Sequence, residues 1–218
     1  MIKQVILSST IDWPEELCSV LFLDGCNFKC EYCHNKELSN LPDMNFDNIC
    51  KTLIMRQSFI DHVIISGGEP TIHPEFKMIV NRLFDLGFKV GIHTNGSNYE
   101  AFEEMKEKIS FVGLDIKCVS HKYFLYANQF LDLECTINYY LKYISTHDIQ
   151  YDIKTTLDRH INEEDLLWIA NNYLKNNNIK KWVLQYEWQN GKRILHYDKY
   201  WYQDALDELN KILNVTIR

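Results

Sequence analysis

Cys26, Cys30 and Cys33 lie within eight residues, in the string CNFKCEYC. Thiolates at this spacing can converge on one metal centre from a single loop, and none of the other four cysteines lies close enough in sequence to be an obvious fourth ligand. A cuboidal iron-sulfur cluster held by cysteine normally takes four thiolates. With three, one iron stays open to another molecule, and an open position generally separates a catalytic metal centre from a structural one. Two other readings compete. A structural Cys3His zinc site would use His34, but adjacent side chains diverge too sharply to chelate one tetrahedral ion easily. A disulfide within the loop is disfavoured because the chain shows no charged-then-apolar leader with a small-residue cleavage site, so a reducing, cytoplasmic setting is expected.

More polar residues of chemical interest follow short apolar runs. Gly67-Gly68-Glu69 follows Val63-Ile64-Ile65, Thr94-Asn95-Gly96 follows a third run, and Asp115-Ile116-Lys117 a fourth. Lys154 to Thr156 closes a fifth. Taken singly, the glycine pair and Asn95-Gly96 read as turns, Asp115 as a cap or exposed charge, and Lys154 as a solvated head. Their positions relative to the elements carry the argument. The apolar runs predict strands near Cys18 to Leu23, Val63 to Ile65, Lys89 to Ile92, Phe111 to Leu114, Tyr151 to Thr155 and Trp182 to Tyr186. Helical periodicity predicts helices around Asn45 to Gln57, Pro74 to Leu86, Tyr99 to Lys108, Leu133 to Thr146, Asn162 to Asn176 and Tyr200 to Leu213. Six strand-helix repeats imply an α/β fold with a parallel sheet and right-handed crossovers, two repeats short of a closed barrel. The expected architecture is a partial (β/α)6 barrel, open on one side, formed as one domain over residues 1–218. In such barrels the C-terminal strand ends form the working rim, where all of these residues fall.

Composition limits the partners. The chain has 218 residues, is 46% apolar and carries a formal charge of -7, which suits a globular domain and offers no basic stripe for a phosphate backbone. No nucleic-acid partner is expected. No apolar stretch approaches the ~20 residues that span a bilayer, so no membrane partner is expected either. Cys18, Cys50, Cys118 and Cys135 are scattered singly and read as small buried hydrophobes.

CNFKCEYC resembles the C-x3-C-x2-C signature of the radical S-adenosylmethionine (SAM) enzymes, and the downstream motifs match that family in its order over roughly residues 6 to 190. The resemblance implies one 4Fe-4S cluster on Cys26, Cys30 and Cys33, with SAM on the open iron and cleaved by one electron to a 5'-deoxyadenosyl radical. Gly67 and Gly68 would let backbone approach the methionyl end, and Glu69 would orient its ammonium, near Thr94 and Asn95. Asp115 lies beside Lys117, which with Lys154 would balance the methionyl carboxylate. Tyr32 matches the family's adenine-side position, and packing of the loop is its plainer role. Asp12-Trp13-Pro14, Cys33-His34-Asn35 and Tyr151-Asp152-Ile153-Lys154-Thr155-Thr156 are similar to the glycyl-radical-enzyme activases. The nearest group is the activating proteins of anaerobic ribonucleoside-triphosphate reductase, followed by the pyruvate formate-lyase activators. That implies a glycyl radical enzyme as protein substrate and an electron donor such as flavodoxin or ferredoxin. The aromatic stretch Tyr197 to Tyr202 is a candidate docking edge.

The chain departs from the activase pattern at His93, where an Asp commonly helps hold a monovalent cation, at Lys154, where Arg is common, and at Glu15, where Gly follows Trp-Pro. An alternative is a small radical SAM enzyme acting on a metabolite or nucleotide, like 7-carboxy-7-deazaguanine synthase, with Lys192, Arg193 and His196 lining its pocket. A more remote one is a non-catalytic iron-sulfur or zinc interaction protein.

Overall fold

The computed structural model describes residues 1–127, 132–189 and 191–218. The chain forms two compact units. The first takes Met1–Asn27, Asn35–Gly113 and Ile149–Tyr151, and the second Phe28–His34, Leu114–Asp148 and Asp152–Arg218.

In the first unit, strands β1 (Ile2–Ser9), β2 (Cys18–Leu23), β3 (His62–Gly67) and β4 (Lys89–Thr94) lie side by side in chain order, with helices α1 (Phe46–Arg56), α2 (Phe76–Asp85) and α3 (Tyr99–Met105). β2 pairs with β3 in parallel, Cys18 opposite His62 and Leu23 opposite Gly67, and β3 pairs likewise with β4. Val63, Ile64 and Ile65 are wholly buried, as expected of a parallel strand covered on both faces. α2 buries Phe76, Ile79, Val80 and Leu83, one stripe at helical spacing. Side chains start the helices: Asn45 accepts from the Asn48 amide at α1, and Asn98 from Glu100 and Ala101 at α3. β1 runs antiparallel to β2.

The segment between β1 and β2 fills the first unit's interior. Trp13 is wholly buried with Cys18, Val20, Ile64 and Phe111. Its ring stacks on Phe111 with centroids 4.9 Å apart and meets His62 edge-on at 4.6 Å. Gly91 makes room, since a Cβ there would lie 2.9 Å from the indole. Trp13 also begins a tight turn: the Glu16 amide donates to the Trp13 carbonyl at 3.2 Å, Pro14 is second, and Glu15, third, has φ +69°. A turn of this kind asks for glycine in third place, which accounts for the glycine of the activase pattern. A side chain in the left-handed region costs about 1 to 2 kcal/mol, partly offset by glycine's larger unfolded-state entropy. Glu15→Gly is therefore expected to raise unfolding free energy by about 0.5 to 1 kcal/mol in urea titrations, with no gain if the turn is unstrained.

Strand β5 (Ile109–Asp115) leaves the first unit at Gly113 and ends in the second. There follow α4 (Phe124–Ala127), α5 (Glu134–Thr146), β6 (Gln150–Leu157), α6 (Glu163–Trp168), β7 (Lys181–Gln189), β8 (Lys192–Ile194), α7 (Lys199–Leu209) and β9 (Asn214–Ile217). β7 pairs in parallel with β6 and β9 and antiparallel with β8. α5 buries Ile137, Tyr140, Leu141 and Ile144. Asn162 and Asp165 close a capping box at α6, which continues as a π-helix over Ile169–Lys175. All six expected strands are present, and antiparallel β1 and β8 and parallel β9 join them. β1 escapes the pattern because Ile6 and Leu7 stay over a third exposed on an edge, while β8 and β9 have only three and four residues.

Candidate functional site

In the first unit the ends of β2, β3 and β4 form one polar network. The Gly68 amide donates to the Leu23 carbonyl at 2.7 Å and the Glu69 amide to the Gly25 carbonyl at 2.8 Å. A Cβ on Gly67 would fall 2.2 Å from the Leu23 oxygen, and one on Gly68 1.8 Å from the Gly25 oxygen. The missing side chains, expected to leave space for a ligand, are thus required by the backbone that leads into Cys26.

Glu69 is 1% exposed, and both of its carboxylate oxygens accept hydrogen bonds. Oε1 accepts from the Thr71 amide at 3.0 Å and from the hydroxyls of Thr71 and Thr94 at 2.5 and 2.7 Å, and Oε2 from the Asn95 amide at 2.6 Å. Three of the four donors share Oε1, and Oε2, with one, keeps an acceptor site. Burial raises its pKa, and those hydrogen bonds resist the shift. In this structure those contacts fix the Thr94-Asn95 turn. Asn95 donates from Nδ2 to Asn27 Oδ1 at 3.1 Å, Asn27 donates to Ser97 Oγ at 2.8 Å, and Asn35 donates to the Gly67 carbonyl at 2.7 Å. Asn27 and Thr71 were missed as site residues. Asn27's place inside the cysteine motif was the available signal.

His93 donates from Nε2 to the Asp12 carbonyl at 2.9 Å and tilts against Phe111. A Cβ on Gly113 would lie 2.5 Å from its ring, so this departure from the activase pattern is built into the packing before Trp13.

The second unit holds the rest of the cysteine loop. The Lys29 amide donates to the Tyr126 carbonyl at 2.6 Å, and Phe28 and Tyr32 pack against Tyr123 and Tyr126. Glu31 pairs with Arg159 at 2.6 Å, and His34 donates from Nε2 to the Trp188 carbonyl at 3.0 Å. Cys30 is buried and Cys33 half-buried, while Cys26, in the first unit, is exposed. Burial pushes the Cys30 thiol pKa up, and the Lys117 ammonium pulls it back.

Lys117, at the end of β5, forms an ion pair with Asp115 and lies 5.3 Å from the centre of the Tyr32 ring. Burial opposes its charge, but Asp115 and the Cys30 thiolate hold its pKa above the usual lysine range. Asp115 Oδ1 is buried without a hydrogen-bond partner among the described residues, an acceptor available to a donor from a bound molecule. Lys154 pairs with Asp152 at 3.3 Å; its carbonyl accepts from the Ile116 amide, and Thr155 Oγ1 donates to the Ile116 carbonyl, tying β6 to the end of β5. The first unit thus gathers Gly67, Gly68, Glu69, Thr94 and Asn95 beside the chain entering Cys26. The second gathers Cys30, Tyr32, Cys33, Asp115 and Lys117, with Lys154 next to them. Tyr32 is 8% exposed, so loop packing is its visible role.

Three expectations need correction. Cys18, Cys50 and Cys118 are buried, but Cys135 is exposed on α5. The Tyr197 to Tyr202 edge mostly covers itself, since Tyr197 stacks on Trp201 at 3.9 Å and Tyr202 is 6% exposed, leaving Tyr200 as its exposed ring. His196 does not stand open to a ligand, because its Nε2 meets buried Glu187 at 2.7 Å. Among the described residues no three His, Cys, Asp or Glu side chains converge as for a single metal ion, and no helix is long and apolar enough to cross a membrane.

The pattern of the Radical SAM superfamily matches residues 20–158. A Methanocaldococcus jannaschii protein named as a glycyl-radical enzyme activating enzyme is 35% identical over 179 residues, covering 78% of this chain and 74% of the relative. The pyruvate formate-lyase-activating enzyme of Clostridium pasteurianum is 32% identical over 109 residues, 46% of each chain. Among solved structures, Streptococcus suis SuiB bound to S-adenosylmethionine superposes with a TM-score of 0.64 at 18% identity, over 88% of this chain. This chain spans about half the length of the last two, 46% and 48%.

Proposed function

Because this chain belongs to the radical SAM superfamily, we propose that it activates a glycyl radical enzyme, taking a hydrogen atom from a backbone glycine of that partner. The observation that carries the proposal is the 35% identity to the M. jannaschii activating enzyme over 74% of that protein's length. The family implies a 4Fe-4S cluster and SAM. The donor set fits them: three thiols in one loop, a buried acceptor without a partner on Asp115, and an ammonium held charged on Lys117. When bound, the cluster and SAM supply a one-electron reductive cleavage that yields the 5'-deoxyadenosyl radical.

The chain's own residues bind and orient. Cys26, Cys30 and Cys33 would hold the cluster as its protein ligands. Lys117 and Lys154 would balance the methionyl carboxylate, and Asp115 Oδ1 would accept a hydrogen bond from the ligand. Glu69 acts as a positioning residue, setting the Thr94-Asn95 turn on one side and the chain entering Cys26 on the other. Tyr32 packs the loop against Tyr126. The chain works as one catalytic domain with a separate one-electron donor.

Mixing reduced, reconstituted protein with SAM and a co-encoded glycyl radical enzyme is expected to give a doublet electron paramagnetic resonance signal, with 5'-deoxyadenosine formed in step. 5'-deoxyadenosine that rises only with a metabolite or nucleotide, and no protein radical, would replace the activase with the small-molecule enzyme.

A further inference from the structure

We propose that Arg218 is a positioning residue for Lys154: by taking up Asp152 from the far side of β7, it leaves the Lys154 ammonium available to the carboxylate of a bound ligand. The inference rests on the reading under which Lys154 balances the methionyl carboxylate, and it concerns binding alone, whatever the enzyme acts on. The starting point is strand alternation. Asp152, Lys154 and Thr156 are every second residue of β6 and so stand on one face. Water reaches little of that face, since the side chains of Asp152 and Lys154 are 7% and 13% exposed. Left to themselves, an acid and a lysine two residues apart on one face would neutralise each other. An anion arriving at such a lysine finds its ammonium already satisfied and is repelled by the carboxylate beside it.

Arg218 changes that balance. It follows β9 directly and is fastened to β7 through its main chain, its amide donating to the Leu184 carbonyl at 3.0 Å and its main-chain oxygen accepting from the Tyr186 amide at 2.9 Å. From there its guanidinium reaches across β7 to β6 and donates from Nη2 to Asp152 Oδ2 at 2.9 Å. The Lys154 ammonium stands 3.3 Å from the same oxygen. The tighter contact thus belongs to the residue from the other strand, and it is the planar fork that suits a carboxylate better than a point charge does. Two cations share one acid, so these three side chains carry formally one positive charge in excess. Arg218, 46% exposed, turns its spare donors to water, whereas Lys154 has little water to turn to. The cation left short of a counter-charge is therefore the buried one, next to Asp115 and Lys117.

The test is calorimetric titration of SAM into the anaerobically reconstituted full chain with its cluster oxidised, so that binding is read without turnover. Arg218→Ala keeps the main-chain bonds that hold β9 to β7. It is expected to weaken SAM binding about five- to tenfold, less than Lys154→Ala does, because Asp152 then closes on Lys154. Adding Asp152→Asn to Arg218→Ala removes the competing charge and should bring the affinity back to within about twofold of the parent. That rescue separates positioning from mere support of the fold, for which a second lost contact would deepen the damage. Arg218→Gln, which carries no charge, gives the same comparison if the alanine variant does not fold. Unchanged affinity in the Arg218 variants, or a loss that Asp152→Asn fails to relieve, would overturn the proposal. Lys154→Ala tells the two readings apart: weakened SAM binding there with none in the Arg218 variants sinks this inference alone, while unchanged binding there removes Lys154 from the carboxylate and this inference with it.

Discussion

Alanine in place of Cys26, Cys30 or Cys33 is expected to leave the purified, anaerobically reconstituted protein without iron or sulfide. A cubane already short of one thiolate has no ligand to spare, and the remaining cysteines are poor replacements. Cys18, Cys50 and Cys118 are buried and lie outside the cysteine loop. Cys135 is exposed, but it sits on the first turn of α5, far along the chain from the loop. Cys118→Ala is the matching control and should keep a full cluster, because that side chain does no more than fill space. Iron and sulfide analysis reads both. Loss of iron in the Cys118 variant, with the loop variants still loaded, would refute the assignment.

Trp13→Ala is expected to cost about 3 to 5 kcal/mol, the range for truncating a large core aromatic. Three separate losses combine: the stack on Phe111, the edge contact with His62, and the hydrogen bond from Nε1 to Gln150 Oε1 at 2.5 Å. Gly91 cannot refill the hole, having no side chain to move into it. Trp13→Phe, which keeps a ring over Phe111 but loses the donor to Gln150, should cost far less. Denaturant unfolding with an unchanged slope gives both values, and a loss below about 1 kcal/mol for alanine would show the core collapsing onto the gap.

What the sequence made legible depends on how local the physics is. Runs such as Val63-Ile64-Ile65 announce a buried parallel strand because every position faces a covered side, and the motifs that follow them inherit a definite place. β1 could not be read so, since Ile6 and Leu7 lie on an edge where half-exposed apolar residues blur the alternation. Residue types at the site were legible where their purposes were not. Gly67 and Gly68 stand out as glycines, yet what crowds them is the carbonyls of Leu23 and Gly25, over forty residues earlier in the chain. Glu69 reads as a free carboxylate until its four donors are seen, and His93 as a lost cation ligand until the Asp12 carbonyl appears opposite it. The turn at Glu15 was partly readable, because Pro14 before it already narrows the turn to a kind that favours glycine.

The anchors on the cysteine loop also bear on how the metal gets in. Ordering a chain segment costs about 1 to 2 kcal/mol per residue in backbone entropy alone, and a floppy ligand loop would charge that cost against each assembly event. Here protein groups have already met much of it. Gly25 is clamped by Glu69, Asn27 by Asn95 and Ser97, Lys29 by Tyr126, and His34 by Trp188. Within each unit the loop's anchored stretch would keep its shape without iron, so repair after oxidative loss would be a matter of resupply more than of refolding that stretch.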